Sequence, residues 1–151
     1  MTQLLLLHGP NLSQLGSRDP GHYGTATLED VVAVARREAA DHDATLDHLQ
    51  TEHEGDLLER IHAARIDGTD ALIINAGAWT HSSFAIHDAL ELIAIPKVEI
   101  HLSNIHARES FRRRSVIAPV CDGAIAGFGI EGYPLAVRAA LGLLRGRSER
   151  G

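Results

Sequence analysis

The sequence predicts an α/β fold: a doubly wound, five-stranded parallel sheet with helices on both faces. Two observations carry that prediction. Short apolar or β-branched runs recur five times along the 151 residues, and the segments between them show helical spacing, which is the strand-helix alternation of a parallel sheet. A third observation points to a site, because the loops after the first, third and fourth runs are polar and would converge outside the carboxyl ends of the strands.

Taken in order, Gln3 to Leu7 is a buried strand, a short apolar run stopped by His8-Gly9-Pro10. A long polar loop, Asn11 to Thr25, holds Arg18, His22 and Tyr23 among three glycines; a connection of that length in a compact domain is often a functional lid. Thr27 is placed to cap a helix whose apolar face is Leu28, Val31, Val32, Ala35 and Ala39. Thr45 to Gln50 alternates as a second strand, and Leu57, Leu58 and Ile61 mark a second helix ending near Gly68. Ala71 to Asn75 is the third strand. The loop after it is dense in hydrogen-bonding groups, and Ser82 or Ser83 caps a helix running through Ile86, Leu90 and Ile93 to a stop at Pro96. Strand four is Val98 to Ile100, strand five lies near Ala124 to Ala126, and the last helix runs from Ile130 to Leu144 with Pro134 early in it, where its missing N–H is tolerated. The expected organisation is one domain over residues 1–145 and a frayed polar tail over 146–151.

Composition narrows the function classes. An apolar content of 44% is enough for one substantial core. The formal charge of -6 disfavours nucleic acid and anionic membranes, while the local cluster Arg108, Arg112, Arg113 and Arg114 can still hold a small anion. A single cysteine, Cys121, excludes an intrachain disulfide and suits a reducing cytoplasm. The run Leu4 to Leu7 is too short to span a membrane, and no basic leader precedes it, so no targeting signal is expected.

The chemistry is expected between Lys97 and Arg112, where a β-branched strand empties into two His, a Ser, an Asn and two Arg. Glu99 and His101 are two apart, so on a strand they share a side, and a carboxylate can orient an imidazole that works as a general acid. On an edge strand the same pair would simply face solvent. Two other motifs carry less. Gly127-Phe128-Gly129-Ile130-Glu131-Gly132 matches a dinucleotide fingerprint, but the strand and ribose-binding acid that should follow are missing, so backbone turning and close packing are the expected roles. The ten His include no H-E-x-x-H and no paired His-Cys spacing, so no metal site is assigned. His42, His48 and His62 are expected on solvated faces.

These residues, read together, resemble a known family. His8-Gly9-Pro10-Asn11-Leu12, Arg18-Asp19-Pro20, Tyr23-Gly24, Asn75-Ala76-Gly77, Thr80-His81-Ser82-Ser83 and the run Glu99 to Glu109 are similar, in order and spacing, to the type II 3-dehydroquinate dehydratases. The resemblance implies a flavodoxin-like fold, no cofactor, a dodecamer of four trimers, and dehydration of 3-dehydroquinate to 3-dehydroshikimate by anti elimination through an enolate. It makes Tyr23 the base and His101 the acid, with Glu99 orienting the His101 ring and Asn75 assisting. Arg18 activates Tyr23; bringing a phenol from ~10 into the neutral range takes roughly 4 kcal/mol of differential stabilisation, which needs a lid that excludes water. Asn11 holds a water at the enolate oxygen, an oxyanion-type role. The amides of Leu102 and Ser103 bind the substrate carboxylate, Arg112 and His81 bind ring hydroxyls, and Asp88 reaches a neighbouring subunit's site. Arg108 is left as either a ligand or an ion-pair member.

The chain departs from the family pattern at Ser13, Glu52, Ala76, Trp79 and His87, none of which is a proposed catalytic group. A different class, a flavodoxin-like module binding flavin or phosphate, would use the loop after strand one as an anion cradle; against it, that loop carries Pro10 and a long Arg and Tyr insertion. A serine hydrolase using Ser103 or Ser82 lacks the G-x-S-x-G elbow.

Overall fold

A computed structural model describes residues 1–17 and 20–150, the side chain of Tyr23 excepted. Five parallel strands, β1 (Thr2–His8), β2 (Ala44–Gln50), β3 (Ala71–Asn75), β4 (Lys97–His101) and β5 (Gly123–Ala126), form one sheet in the order β2-β1-β3-β4-β5. That is the flavodoxin-like order, with its switch point between β1 and β3. Leu4 to Leu7 are buried on both faces, at 0–1% exposure, which is why β1 reads as an unbroken apolar run instead of an alternating one.

The helices are α1 (Pro20–Tyr23), α2 (Leu28–Asp41), α3 (Glu54–Ala63), α4 (Phe84–Glu91) and α5 (Gly132–Arg150). Alternation along the strands separates two cores. Leu4, Leu6, Ile73, Val98 and Ile100 face α2 and α5, whereas Leu5, Leu7, Leu72 and Ile74 face α3 and α4. Ile86 and Leu90 are fully buried on α4, and each such aliphatic side chain contributes ~1.5–3 kcal/mol.

Local signals are met where expected. Thr27 caps α2 in a reciprocal box with Asp30, and the Ser83 hydroxyl accepts from the Ile86 amide at 3.0 Å. Three expectations are corrected. The second helix ends at Ala63, and a turn carries the chain to Gly68, whose φ of 88° suits glycine. Residues 146–150 are no frayed tail, because α5 continues to Arg150 and Arg147 donates to the Ala94 carbonyl. His48 is half-buried on the α2 face, in phase with Ala44 and Leu46. The glycines of the set-aside fingerprint do turn and pack the backbone: Gly127 and Gly129 have positive φ, the Gly129 amide bonds the Leu102 carbonyl at 2.9 Å, and a Cβ on Gly132 would touch Ile100 at 3.4 Å. Among the described residues no helix is long and apolar enough to cross a membrane.

Candidate active site

The loops after β1, β3 and β4 close around a cavity of about 100 Å³ at the switch point. Its wall brings together Asn11, Asn75, His81, His101, Leu102, Ser103 and Arg112 from the sequence reading, and also Arg108, which that reading left as either a ligand or an ion-pair member. Asp88 is not among them: it lies exposed on α4, its carboxylate 3.1 Å from the His87 ring. Arg18 and the Tyr23 side chain lie outside the described residues.

β4 lies inside the sheet, between β3 and β5, so Glu99 and His101 do not face solvent. Glu99 is 1% exposed and His101 6%. Their alternation partners put them on the α3 and α4 face, where Glu99 Oε2 sits 2.5 Å from His101 Nε2. The other carboxylate oxygen accepts from the Ser115 hydroxyl at 3.0 Å, and Ser115 Oγ in turn accepts from the Ala118 amide. With both Glu99 oxygens engaged, the carboxylate is fixed and Nε2 of His101 carries the bonded proton; among the described residues no hydrogen bond occupies Nδ1. This is an orienter-imidazole pair of the kind general acid catalysis requires. Ser115 was not foreseen; it is sixteen residues from Glu99 in an irregular segment, and no spacing rule connects them.

His81 stacks on His101 with ring centroids 6.3 Å apart and packs against the edge of Phe111. Its Nδ1–H donates to the Arg114 carbonyl at 2.8 Å, turning Nε2 away from that bond, and burial lowers its pKa below the usual histidine value. Arg112 lies over the Phe111 ring at 4.6 Å and bonds Glu109 at 3.1 Å, while Arg108 reaches Ser103 Oγ at 3.3 Å and lies 3.6 Å from Glu109. Two guanidinium groups on one wall make the cavity suited to an anion.

Asn11 adopts the left-handed conformation, φ 67°, and Glu52 holds it there: its carboxylate accepts from the Asn11 amide at 2.9 Å, from Ser13 Oγ at 2.9 Å and from Gln50 Nε2 at 2.8 Å. These bonds lower the Glu52 pKa. Two departures from the family pattern, Ser13 and Glu52, are thus bonded to each other. Asn75 is buried at the end of β3; its Oδ1 accepts from the Gly77 amide at 3.2 Å and its Nδ2 donates to the Tyr133 hydroxyl at 3.1 Å. His87, Asp88 and Glu91 group their ligand atoms within 4.8 Å on α4, and none lines the cavity.

Fold and site together define a flavodoxin-like α/β enzyme with a carboxylate-oriented imidazole beside an anion-suited pocket. The family model for Dehydroquinase class II matches residues 2–141. A 3-dehydroquinate dehydratase from Pelobacter propionicus is 52% identical over 149 residues, covering 99% of this chain and all of that protein, and one from a Jannaschia species is 55% identical over 137 residues, covering 91% and 92%. The crystal structure of type II dehydroquinase from Butyrivibrio crossotus superposes with a TM-score of 0.90 at 39% identity, covering 92% of this chain and 97% of that one. The chain belongs to the class II dehydroquinase family and is a hydro-lyase. Family membership also decides against a flavin or phosphate binding module.

Proposed function

We propose that the chain dehydrates 3-dehydroquinate to 3-dehydroshikimate by anti elimination through an enolate, without a cofactor. Tyr23, activated by Arg18, takes a proton alpha to the ketone, and the electron pair moves onto the ketone oxygen to give the enolate. Asn11 holds a water against that oxygen. Collapse of the enolate re-forms the ketone, makes the ring double bond and breaks the C1–O bond; the departing hydroxyl takes the Nδ1 proton of His101, which enters the step as imidazolium with its Nε2–H held by Glu99, and leaves as water. Proton return from Tyr23 to His101 through solvent resets the site. Leu102 and Ser103 amides hold the substrate carboxylate, Arg112 and His81 hold ring hydroxyls, and Asn75 assists at the leaving group. Four trimers form the working dodecamer, with Asp88 reaching into a neighbour's site, and the reaction serves the shikimate pathway or quinate breakdown in the cytoplasm.

One observation carries this reading: a buried Glu99 carboxylate, fixed by Ser115, holds the His101 ring in the wall of a cavity that Asn75, Arg108 and Arg112 also line. The direct test is to add 3-dehydroquinate and follow the ultraviolet absorbance of the conjugated enone. A rise is expected; none from a folded, assembled sample overturns the proposal.

A further inference from the structure

A second polar system runs through the α2 and α5 core, and of its members the reaction as drawn uses Asn75 alone. His8, the last residue of β1, is wholly buried, as is Tyr133 near the start of α5. His8 Nε2 lies 2.8 Å from the Tyr133 hydroxyl, and His8 Nδ1 lies 2.9 Å from Nε2 of His48 on β2. The Tyr133 hydroxyl also meets Nδ2 of Asn75. Four side chains from β2, β1, α5 and β3 therefore form one line, from a groove beside Glu29 and Arg36 of α2 to the catalytic cavity.

Its direction is forced. Asn75 Oδ1 is taken by the Gly77 amide, so Nδ2 faces Tyr133 and can only donate. The Tyr133 hydroxyl must then donate its one proton to His8 Nε2, since a buried O–H left without an acceptor costs ~1–3 kcal/mol. Burial keeps His8 neutral; with Nε2 accepting, its proton sits on Nδ1 and points at Nε2 of His48.

We propose that His48, His8 and Tyr133 are positioning residues that fix the amide of Asn75, so that its second Nδ2 proton is presented to the ligand. The inference rests on the reading of Asn75 as a substrate ligand. It places the control of a cavity residue in side chains that never touch the cavity.

The test is a double-mutant cycle of Tyr133→Phe and Asn75→Ala, measured well below each melting temperature with 3-dehydroquinate for kcat and KM. Tyr133→Phe is expected to lose about tenfold in kcat/KM, and to lose nothing further in the Asn75→Ala background, because its effect passes through Asn75. Unchanged kcat/KM in Tyr133→Phe, or an equal loss in both backgrounds, overturns the proposal. Affinity for 3-dehydroshikimate, read in the same four proteins by the same criterion, serves where turnover is too slow. Nitrogen-15 spectra of the wild-type imidazoles should show His8 protonated on Nδ1 and bare on Nε2, and the opposite tautomer overturns the direction. A wild type inert towards 3-dehydroquinate would instead remove the substrate reading, which the tautomer does not test.

Discussion

Two strands of the sheet end in histidine, and the two rings sit in opposite settings. His8 closes β1 and His101 closes β4; both are buried, and they project from opposite faces of the sheet. Among the described residues the His8 ring hydrogen-bonds to His48 and Tyr133 and to no carboxylate, and burial followed by the neighbouring His48 takes its pKa down to about 3. His101 meets a carboxylate on one nitrogen and a cavity on the other side. The topological position is shared. On the proposed mechanism, what separates a group that transfers a proton from one that only orients others is the charge of the partner and whether one nitrogen is left open.

The contrast breaks most sharply at His101. His101→Ala should lower kcat by roughly 10²–10⁴-fold while the fold survives, the usual worth of a general acid or base; a variant that stays fast would remove His101 as the acid. Tyr23→Phe should fall in the same range with the substrate still bound, and near-normal turnover would remove Tyr23 as base.

The effect of His8 should appear in stability. His8→Leu strands the Tyr133 hydroxyl and the inward nitrogen of His48, each worth ~1–3 kcal/mol when left unpaired. Melting should fall by roughly 2–4 °C per kcal/mol for a chain of this size. An unchanged melting temperature would show that the line of bonds contributes little.

Acid sharpens the same contrast. Above the ordinary histidine pKa of 6.5, His8 is neutral in folded and unfolded chains alike and adds no pH dependence. Between 6.5 and about 3 the unfolded chain binds a proton that the folded one refuses, so stability falls on acidification, by roughly 2 kcal/mol at pH 5 from this ring alone. Burial also takes the neighbouring His48 down to about 4, which adds a slope of the same sign. Melting curves from pH 8 to 5 should show the combined slope, and His8→Leu should lessen it without abolishing it; an identical slope in the variant would place the sensitivity elsewhere. The smallest effect is expected from Lys97. Its ammonium is buried at the amino end of β4, donating to the Ile93 carbonyl at 2.6 Å and remote from the cavity wall. Borohydride with substrate should add no mass, and covalent trapping there would overturn both the enolate route and the placement of the site.

Strands were legible where burial on both faces writes an apolar run, as in Leu4 to Leu7, and β3 was read to the residue at Ala71–Asn75. The cavity was legible because its polar groups follow directly on strands. Its supports were not. Ser115 and Tyr133 reach their partners across long separations, so nothing local announces them. His48 could have been found: Ala44, Leu46 and His48 alternate in one phase, but a histidine's polarity outweighed its position. The end of α5 was missed because Arg, Ser and Glu after residue 145 look like a solvated tail, whereas Arg and Glu are good helix formers and Arg147 is anchored on Ala94 and Asp122.

The cavity loops after β1 and β3 meet through two glycines. A Cβ on Gly9 would lie 2.2 Å from the Ala76 carbonyl oxygen, and one on Gly77, at φ 59°, would lie 3.0 Å from that of Pro10. Every other amino acid carries a Cβ, so in a saturation library position 9 should be as empty of survivors as any catalytic position, although its backbone takes no part in proton transfer. Such a library would score Gly9 as essential on grounds of clearance alone. Any recombination of this domain with a relative would have to exchange the two loops together, since neither can change its path without the other.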